Sequence, residues 1–235
     1  MMEVVILAGG MGTRLHEAVP DLPKPMALVN GKPFLWYILS WLTEYPVSKV
    51  ILSTGYKHES IISYFGDSFE GIPVEYAIEK EPLGTGGGLM FAAGKASGSD
   101  FIVINGDTYF PINLTELYSF HTGHSAFITV ALKKMKDFSR YGAVECTDGK
   151  IIQFHEKKFC HDGFINGGIY VMNRNMLISR HLPEIFSLEK DVLEKSAGTG
   201  DLNGMVFTEP FLDIGIPEEY QRAGTILGIP KKKRK

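Results

Sequence analysis

The sequence predicts an α/β fold: a doubly wound, mostly parallel sheet joined to a smaller antiparallel lobe. Three observations carry this. Short apolar runs alternate with helix-like segments through the first 125 residues, a glycine-rich turn follows the first run, and closely spaced strand-like runs then take over. Glu3–Leu7 (EVVIL) ends at Gly9-Gly10 and reads as a buried strand. Pro33 opens a helical segment, Phe34–Leu42, with the proline suited to a first turn. Lys49–Ser53 is a second strand, and His58–Phe65 a second helix with Ile61, Ile62 and Phe65 on one side. Val74–Ile78 is a third strand, followed by a small-residue helix over Gly86–Lys95. Asp100–Asn105 is a fourth strand and Leu114–Thr122 the helix after it. Four such units with right-handed crossovers put helices on both faces of a Rossmann-like sheet.

Beyond residue 125, Phe127–Leu132, Gly142–Glu145, Ile151–His155 and Gly168–Met172 read as strands with few helices between them. Helical pattern returns at Asn175–Leu182, at Leu188–Lys195 and from Pro217. The expected organisation is one domain over residues 1–228, in halves 1–125 and 126–228, with a basic tail at 229–235. No internal repeat or low-complexity linker interrupts it.

Composition excludes several classes. With 44% hydrophobic and 22% charged residues, the 235-residue chain is neither disordered nor fibrous. No apolar stretch reaches the roughly 18 residues of a membrane span. Met1–Gly10 lacks the basic start of a secretory signal. Cys146 and Cys160 cannot build a disulfide framework, so a cytoplasmic enzyme is the expectation. The formal net charge is −3, yet five basic residues sit in Lys231–Lys235, so the rest of the chain is more acidic still. That argues against a broad nucleic-acid face. The tail is similar to a basic nuclear-localisation peptide or a nucleic-acid arm, but five adjacent like charges read more simply as a solvated end.

In open parallel sheets, ligands bind beyond the carboxyl ends of the strands. The first such segment reads Gly9-Gly10-Met11-Gly12-Thr13-Arg14-Leu15. Its glycines let backbone N–H groups approach phosphate oxygens, and Arg14 adds a forked cation. Lys24 follows between Pro23 and Pro25, and two cations beside one glycine loop suggest a polyphosphate. A Walker A loop is absent, and Leu15 stands where a dinucleotide fingerprint needs its third glycine. Asp107 ends the fourth strand and Asp213 follows another apolar run. Two carboxylates plus phosphate oxygens are a ligand set for Mg²⁺.

Gly9–Leu15 with Pro23-Lys24-Pro25 resembles the signature of the sugar-1-phosphate nucleotidyltransferases. Glu81-Pro82-Leu83-Gly84-Thr85-Gly86, Asn105-Gly106-Asp107, Glu156-Lys157, Asn166–Tyr170 and Asp213-Ile214-Gly215 follow in that family's order, over roughly residues 3–224. Within the family, the Glu79–Gly87 loop, Arg140-Tyr141-Gly142 and Asn166-Gly167-Gly168 resemble the D-glycero-α-D-manno-heptose 1-phosphate guanylyltransferases, and mannose-1-phosphate guanylyltransferases share much of this. Lys158 departs from the pattern, where many relatives have proline.

The resemblance implies GMP transfer from GTP to a sugar 1-phosphate, serving a bacterial surface polysaccharide. It implies Arg14 on the β- and γ-phosphates, Lys24 on the α-phosphate and sugar phosphate, and Asp107 with Asp213 on Mg²⁺. Leu7, Ala8, Gly9, Gly10, Gly12, Thr13, Glu81, Gly84 and Thr85 would frame the nucleotide. Gly142, Glu156, Lys157 and Asn166 would bind the sugar in the antiparallel lobe. The partners are then GTP and a sugar 1-phosphate, with no nucleic acid and no membrane, and a homo-oligomer is left open. The alternatives are another sugar or nucleotide, or a non-catalytic nucleotide-sugar sensor, which need not keep both metal carboxylates.

Other conspicuous residues receive plainer readings. His121 and His124 are expected on the surface. Cys160-His161 lacks a second cysteine pair for zinc, and Trp36 and Trp41 belong to core or interface. No serine has a Gly-x-Ser-x-Gly context.

Overall fold

A computed structural model describes residues 1–10 and 22–228. Met11–Asp21, with Gly12, Thr13 and Arg14, and the tail after Gly228 lie outside the described residues.

Among the described residues, ten strands form one mixed sheet. They are β1 (Met2–Leu7), β2 (Val47–Thr54), β3 (Ser68–Phe69), β4 (Ile72–Ile78), β5 (Asp100–Asn105), β6 (Ile128–Phe138), β7 (Gly142–Thr147), β8 (Lys150–Lys157), β9 (Cys160–Asn173) and β10 (Leu202–Phe207). Their order is β7-β8-β10-β6-β9-β5-β1-β2-β4-β3. The four strands read from the first half pair in parallel, with Val4 beside both Val50 and Ile102, and Val50 beside Val74. β9 then joins β5 antiparallel, Ile169 opposite Ile104, and extends the sheet into the second half without a break. The chain leaves β1 toward β2 on one side and returns to β5 on the other. That reversal is the switch point at which open sheets bind ligands.

Period-two alternation divides the core between the two faces. Val4, Ile6, Val50, Leu52, Ile102 and Ile104 pack on one face, with helices α1 (Phe34–Leu42), α2 (His58–Phe65), α4 (Leu114–His124) and α7 (Pro217–Leu227). Val5, Ile51, Phe101 and Val103 pack on the other, against α3 (Gly84–Ala93) and α5 (Arg174–Ile178). The same face receives a π-helical segment, Leu188–Leu193, which runs into the short helix α6 (Glu194–Ser196). Both faces are covered, so β1 is buried almost end to end rather than alternating in exposure. Helix starts are specified locally: Asn113 Oδ1 accepts from Glu116 N–H at 3.2 Å, and Pro217 opens α7 ahead of Glu218 and Glu219. No helix among the described residues is long and apolar enough to cross a membrane.

Three details differ from the sequence reading. Strand β10 is not among the expected strands. It lies between β6 and β8 and is parallel to β6, Met205 beside Ala131, so the second lobe is not wholly antiparallel. Gly204 hides the strand signal; a Cβ there would sit 2.6 Å from Leu132 Cδ1, so packing and not propensity selects it. The helix expected over Asn175–Leu182 stops at Ile178, before Pro183 disfavours helix at Leu182. Finally, His121 is 1% exposed and not a surface residue. Its Nδ1 lies 2.9 Å from Thr129 Oγ1 and its Nε2 3.4 Å from Asp100 Oδ1.

Burial lowers the His121 pKa below its ordinary value despite Asp100. The unfolded chain therefore binds this proton more readily, and stability falls as pH drops below about 6.5. In thermal melts from pH 7.5 to 5, wild type should lose its advantage over His121→Gln progressively. A constant difference across that range would show that His121 does not report pH.

Candidate active site

The loops after β1 and β5 cross at the switch point. Gly106 N–H donates to the Leu7 carbonyl at 2.9 Å, and a Cβ on Gly106 would fall 2.6 Å from that same oxygen. Only glycine allows this approach, and the next residue, Asp107, is thereby placed over the end of β1.

Asp213 arrives from the far end of the chain. Leu212–Asp213 forms a two-stranded antiparallel ladder with Thr108–Tyr109, and Ile214 N–H donates to the Asp107 carbonyl at 3.0 Å. Lys24 comes from a third direction, on a 3₁₀ turn (Lys24–Met26) anchored by buried Pro25 and Met26. Flanking prolines restrict its backbone, and its Nζ lies 3.2 Å from Asp107 Oδ2. The three side chains converge beside Gly215, where a Cβ would sit 2.8 Å from Asp213 Oδ1, 3.1 Å from Lys24 Nζ and 3.6 Å from Asp107 Oδ2.

Burial and the neighbouring Asp107 raise the Asp213 pKa above its ordinary value, outweighing the Gly215 N–H, Lys24 and the Tyr141 hydroxyl. Tyr141 is itself pushed well up by burial, Asp213 and Glu219, so it remains a protonated donor toward Asp213. Two carboxylates that repel each other in a half-buried site favour a cation between them. No cluster of three or more His, Cys, Asp or Glu side chains suited to a metal occurs among the described residues. The chemistry of two aspartates beside an open cavity fits an ion that keeps water and takes its remaining oxygens from phosphates. Cys160-His161 belongs to no such cluster; His161 Nδ1 instead lies 3.0 Å from Asp137 Oδ1.

Two cavities meet at this point. The larger, about 880 Å³, lies at the ends of β1, β2 and β4 and includes Leu7, Ala8, Gly9, Gly10, Lys24 and Asp107. Glu81, Gly84 and Thr85 line it from the other side. The smaller, about 590 Å³, is lined by Gly142, Glu156, Lys157 and Asn166 together with Asp107 and Asp213. Asn166 is partly committed, since its amide donates to the Tyr170 hydroxyl at 2.8 Å and accepts from Gly168 N–H at 2.9 Å. Asn105, Asp107 and Glu189 line both cavities.

One participant has a role that its motif does not reveal, and another lies outside the motifs altogether. Glu79 is a strut: Oε1 accepts from Ser53 Oγ at 3.0 Å and Oε2 from Leu83 N–H at 3.2 Å, which pins the loop that carries Glu81. The sequence places it at the head of the Glu79–Gly87 loop but not as the residue that holds that loop. Glu189 lies on the π-helical segment, more than a hundred residues from Thr85, and accepts that hydroxyl's hydrogen at 2.6 Å. Nothing local in the sequence marks it.

A chain with this switch-point site belongs to the nucleotidyl transferase family, which it matches over residues 3–227. It is 46% identical over 222 residues to the D-glycero-α-D-manno-heptose 1-phosphate guanylyltransferase of Aneurinibacillus thermoaerophilus, covering 94% of this chain and 96% of that protein. The Campylobacter jejuni protein of the same name is 42% identical over 220 residues, 93% of this chain and 97% of its own length. Among solved structures, HddC from Yersinia pseudotuberculosis complexed with GMP-PN superposes with a TM-score of 0.86 at 35% identity, covering 97% of this chain and all of that one.

Gly84 has φ of +75°, and a Cβ on it would lie 2.5 Å from the Phe186 carbonyl oxygen. Gly84→Ala should therefore destabilise the protein by about 1–3 kcal/mol. Gly10→Ala, whose Cβ meets nothing within 4 Å among the described residues, is the control. Equal melting temperatures for the two variants would contradict this packing.

Proposed function

We propose that this protein transfers GMP from GTP to D-glycero-α-D-manno-heptose 1-phosphate, giving GDP-heptose and pyrophosphate. The carrying observation is the pair of cavities sharing Asp107, one sized for a nucleotide and one for a sugar phosphate. The names of the two relatives above and their near-complete coverage support the choice of sugar and base.

In the proposed reaction an oxygen of the sugar phosphate attacks the α-phosphorus of GTP. A new P–O bond forms as the bond to the β-phosphate bridging oxygen breaks, and pyrophosphate departs with the electron pair. The nucleophile is already an anion, so no side chain need act as base, and catalysis reduces to alignment and charge neutralisation. Lys24, beside Asp107, would neutralise the α-phosphate and align the incoming phosphate. Asp107 and Asp213 would hold a divalent ion, proposed to be Mg²⁺, which when bound supplies Lewis-acid stabilisation of the phosphate oxygens. The role of Arg14 on the leaving pyrophosphate rests on the family resemblance alone. Glu81, which accepts no hydrogen bond among the described residues, would take the N1–H and N2–H₂ donors of guanine. An adenine or pyrimidine would leave that acceptor mismatched, a loss of roughly 1–3 kcal/mol. Gly142, Glu156, Lys157 and Asn166 would receive the sugar and its phosphate.

Pyrophosphate release, measured for four nucleoside triphosphates against several sugar 1-phosphates, tests the reading. GTP with the heptose phosphate should give the highest kcat/KM. A higher value for mannose 1-phosphate would overturn the sugar, and equal use of all bases would overturn guanine.

Two variants test the roles. Asp107→Asn should retain the melting temperature and lose about 100-fold or more in turnover, since the amide keeps the shape without the charge. Lys24→Ala should lower kcat more than it raises the KM for GTP, because its charge is met most strongly as the new bond forms. An unchanged kcat with only a raised KM would reassign Lys24 to ground-state binding.

A further inference from the structure

The smaller cavity has a wall supplied by the π-helical segment and its continuation, through Glu189, Lys190, Leu193 and Glu194. Glu189 alone of the four also reaches the larger cavity. Its carboxylate is oriented through one oxygen. Oε2 accepts from Thr85 Oγ1 at 2.6 Å and from Ser187 Oγ at 2.9 Å. Each of those hydroxyls is in turn fixed by a backbone N–H, Leu188 to Thr85 at 3.0 Å and Lys190 to Ser187 at 3.2 Å. Both hydroxyl hydrogens are therefore committed to Glu189. Its Oε1 accepts no hydrogen bond among the described residues.

From this geometry we propose that Glu189 is a specificity-determining residue of the sugar site, with Oε1 accepting from a ring hydroxyl of the sugar 1-phosphate. The assignment rests on the function proposed above. A carboxylate repels the phosphates of either substrate, so its partner must be an uncharged donor, and hydroxyls are what the sugar offers. Ribose hydroxyls are the competing partner. The sugar is favoured because the three side chains that share Glu189's segment line only the smaller cavity.

The same contacts tie this wall to the Glu81–Gly86 loop, which holds the proposed base-reading Glu81. Besides the Thr85 bond, Gly86 N–H donates to the Phe186 carbonyl at 3.0 Å and Phe186 N–H to the Leu83 carbonyl at 3.1 Å. Thr85 thus acts on the sugar as a positioning residue, although it sits among the nucleotide-framing residues. Replacing it with valine frees Glu189 to rotate and should raise the KM for the sugar phosphate, while Thr85→Ser restores it.

The decisive measurement is steady-state kinetics of Glu189→Gln, whose remaining amide oxygen can still accept from Thr85 and Ser187. The KM for the heptose phosphate should rise about tenfold or more, the size of losing a hydrogen bond to a charged acceptor, while the KM for GTP stays within about twofold. A series of monodeoxy sugar 1-phosphates supplies a test on the unmodified protein. One analogue should be poorer by a similar factor with wild type, and Glu189→Gln should not distinguish it from its parent. An unchanged sugar KM in Glu189→Gln, a rise in the GTP KM instead, or a wild type indifferent to every deoxy analogue would overturn the assignment. Wild-type turnover with the heptose phosphate separates the two readings. If wild type is inactive, the proposed function fails and this assignment with it; if it is active, only the role of Glu189 is at issue.

Discussion

Like-charge repulsion between Asp107 and Asp213 is the constraint around which this site is organised. Backbone hydrogen bonds hold the two carboxylates together: the ladder of Leu212–Asp213 on Thr108–Tyr109 and the bond from Ile214 to Asp107. The outcome is visible in Asp213, whose pKa is raised by burial and by its neighbour. Lys24 compensates one carboxylate only in part. A site of this kind is electrostatically incomplete until cations enter, and polyphosphate chemistry needs the same cations. The net negative charge of the chain adds no long-range attraction for an anionic substrate, so the cations at the site itself carry that task.

Backbone proximity does the remaining positioning. Gly106 passes within hydrogen-bonding distance of the end of β1, and Gly84 turns with positive φ against the Phe186 carbonyl. The first contact locates Asp107; the second presses the Glu81–Gly86 loop onto a segment from the other half of the chain. Both glycines also line the larger cavity. Their contribution is to remove the side-chain volume that would keep these backbones apart.

The two cavities are consequently one device with a shared wall. Glu79 fixes the Glu81–Gly86 loop from the β2 side, and Thr85 with Ser187 fixes Glu189 from the other. Loops held by side-chain hydrogen bonds at both ends keep their donors and acceptors oriented before any ligand arrives, which is how preorganised sites act on charge that develops during reaction.

Much of this was legible in the residue order. Four apolar runs, each followed by a helical pattern, specify β1, β2, β4 and β5, because buried parallel strands and amphipathic helices each leave a periodicity that needs no tertiary context. The glycine loop, Lys24 between prolines, Asn105-Gly106-Asp107 and the Glu81–Gly86 stretch carry their chemistry in composition and spacing, and they reveal the family for that reason. Strand β10 was not legible, since Gly204 is chosen by the crowding of Leu132 and has no strand propensity of its own. The buried state of His121 and the reach of Glu189 into both cavities were likewise decided in three dimensions. Periodicity is a property of neighbours along the chain, whereas burial and contact depend on segments a hundred residues apart meeting. The sequence alone therefore determined which chemical groups this protein has, and the tertiary structure decided which of them face one another.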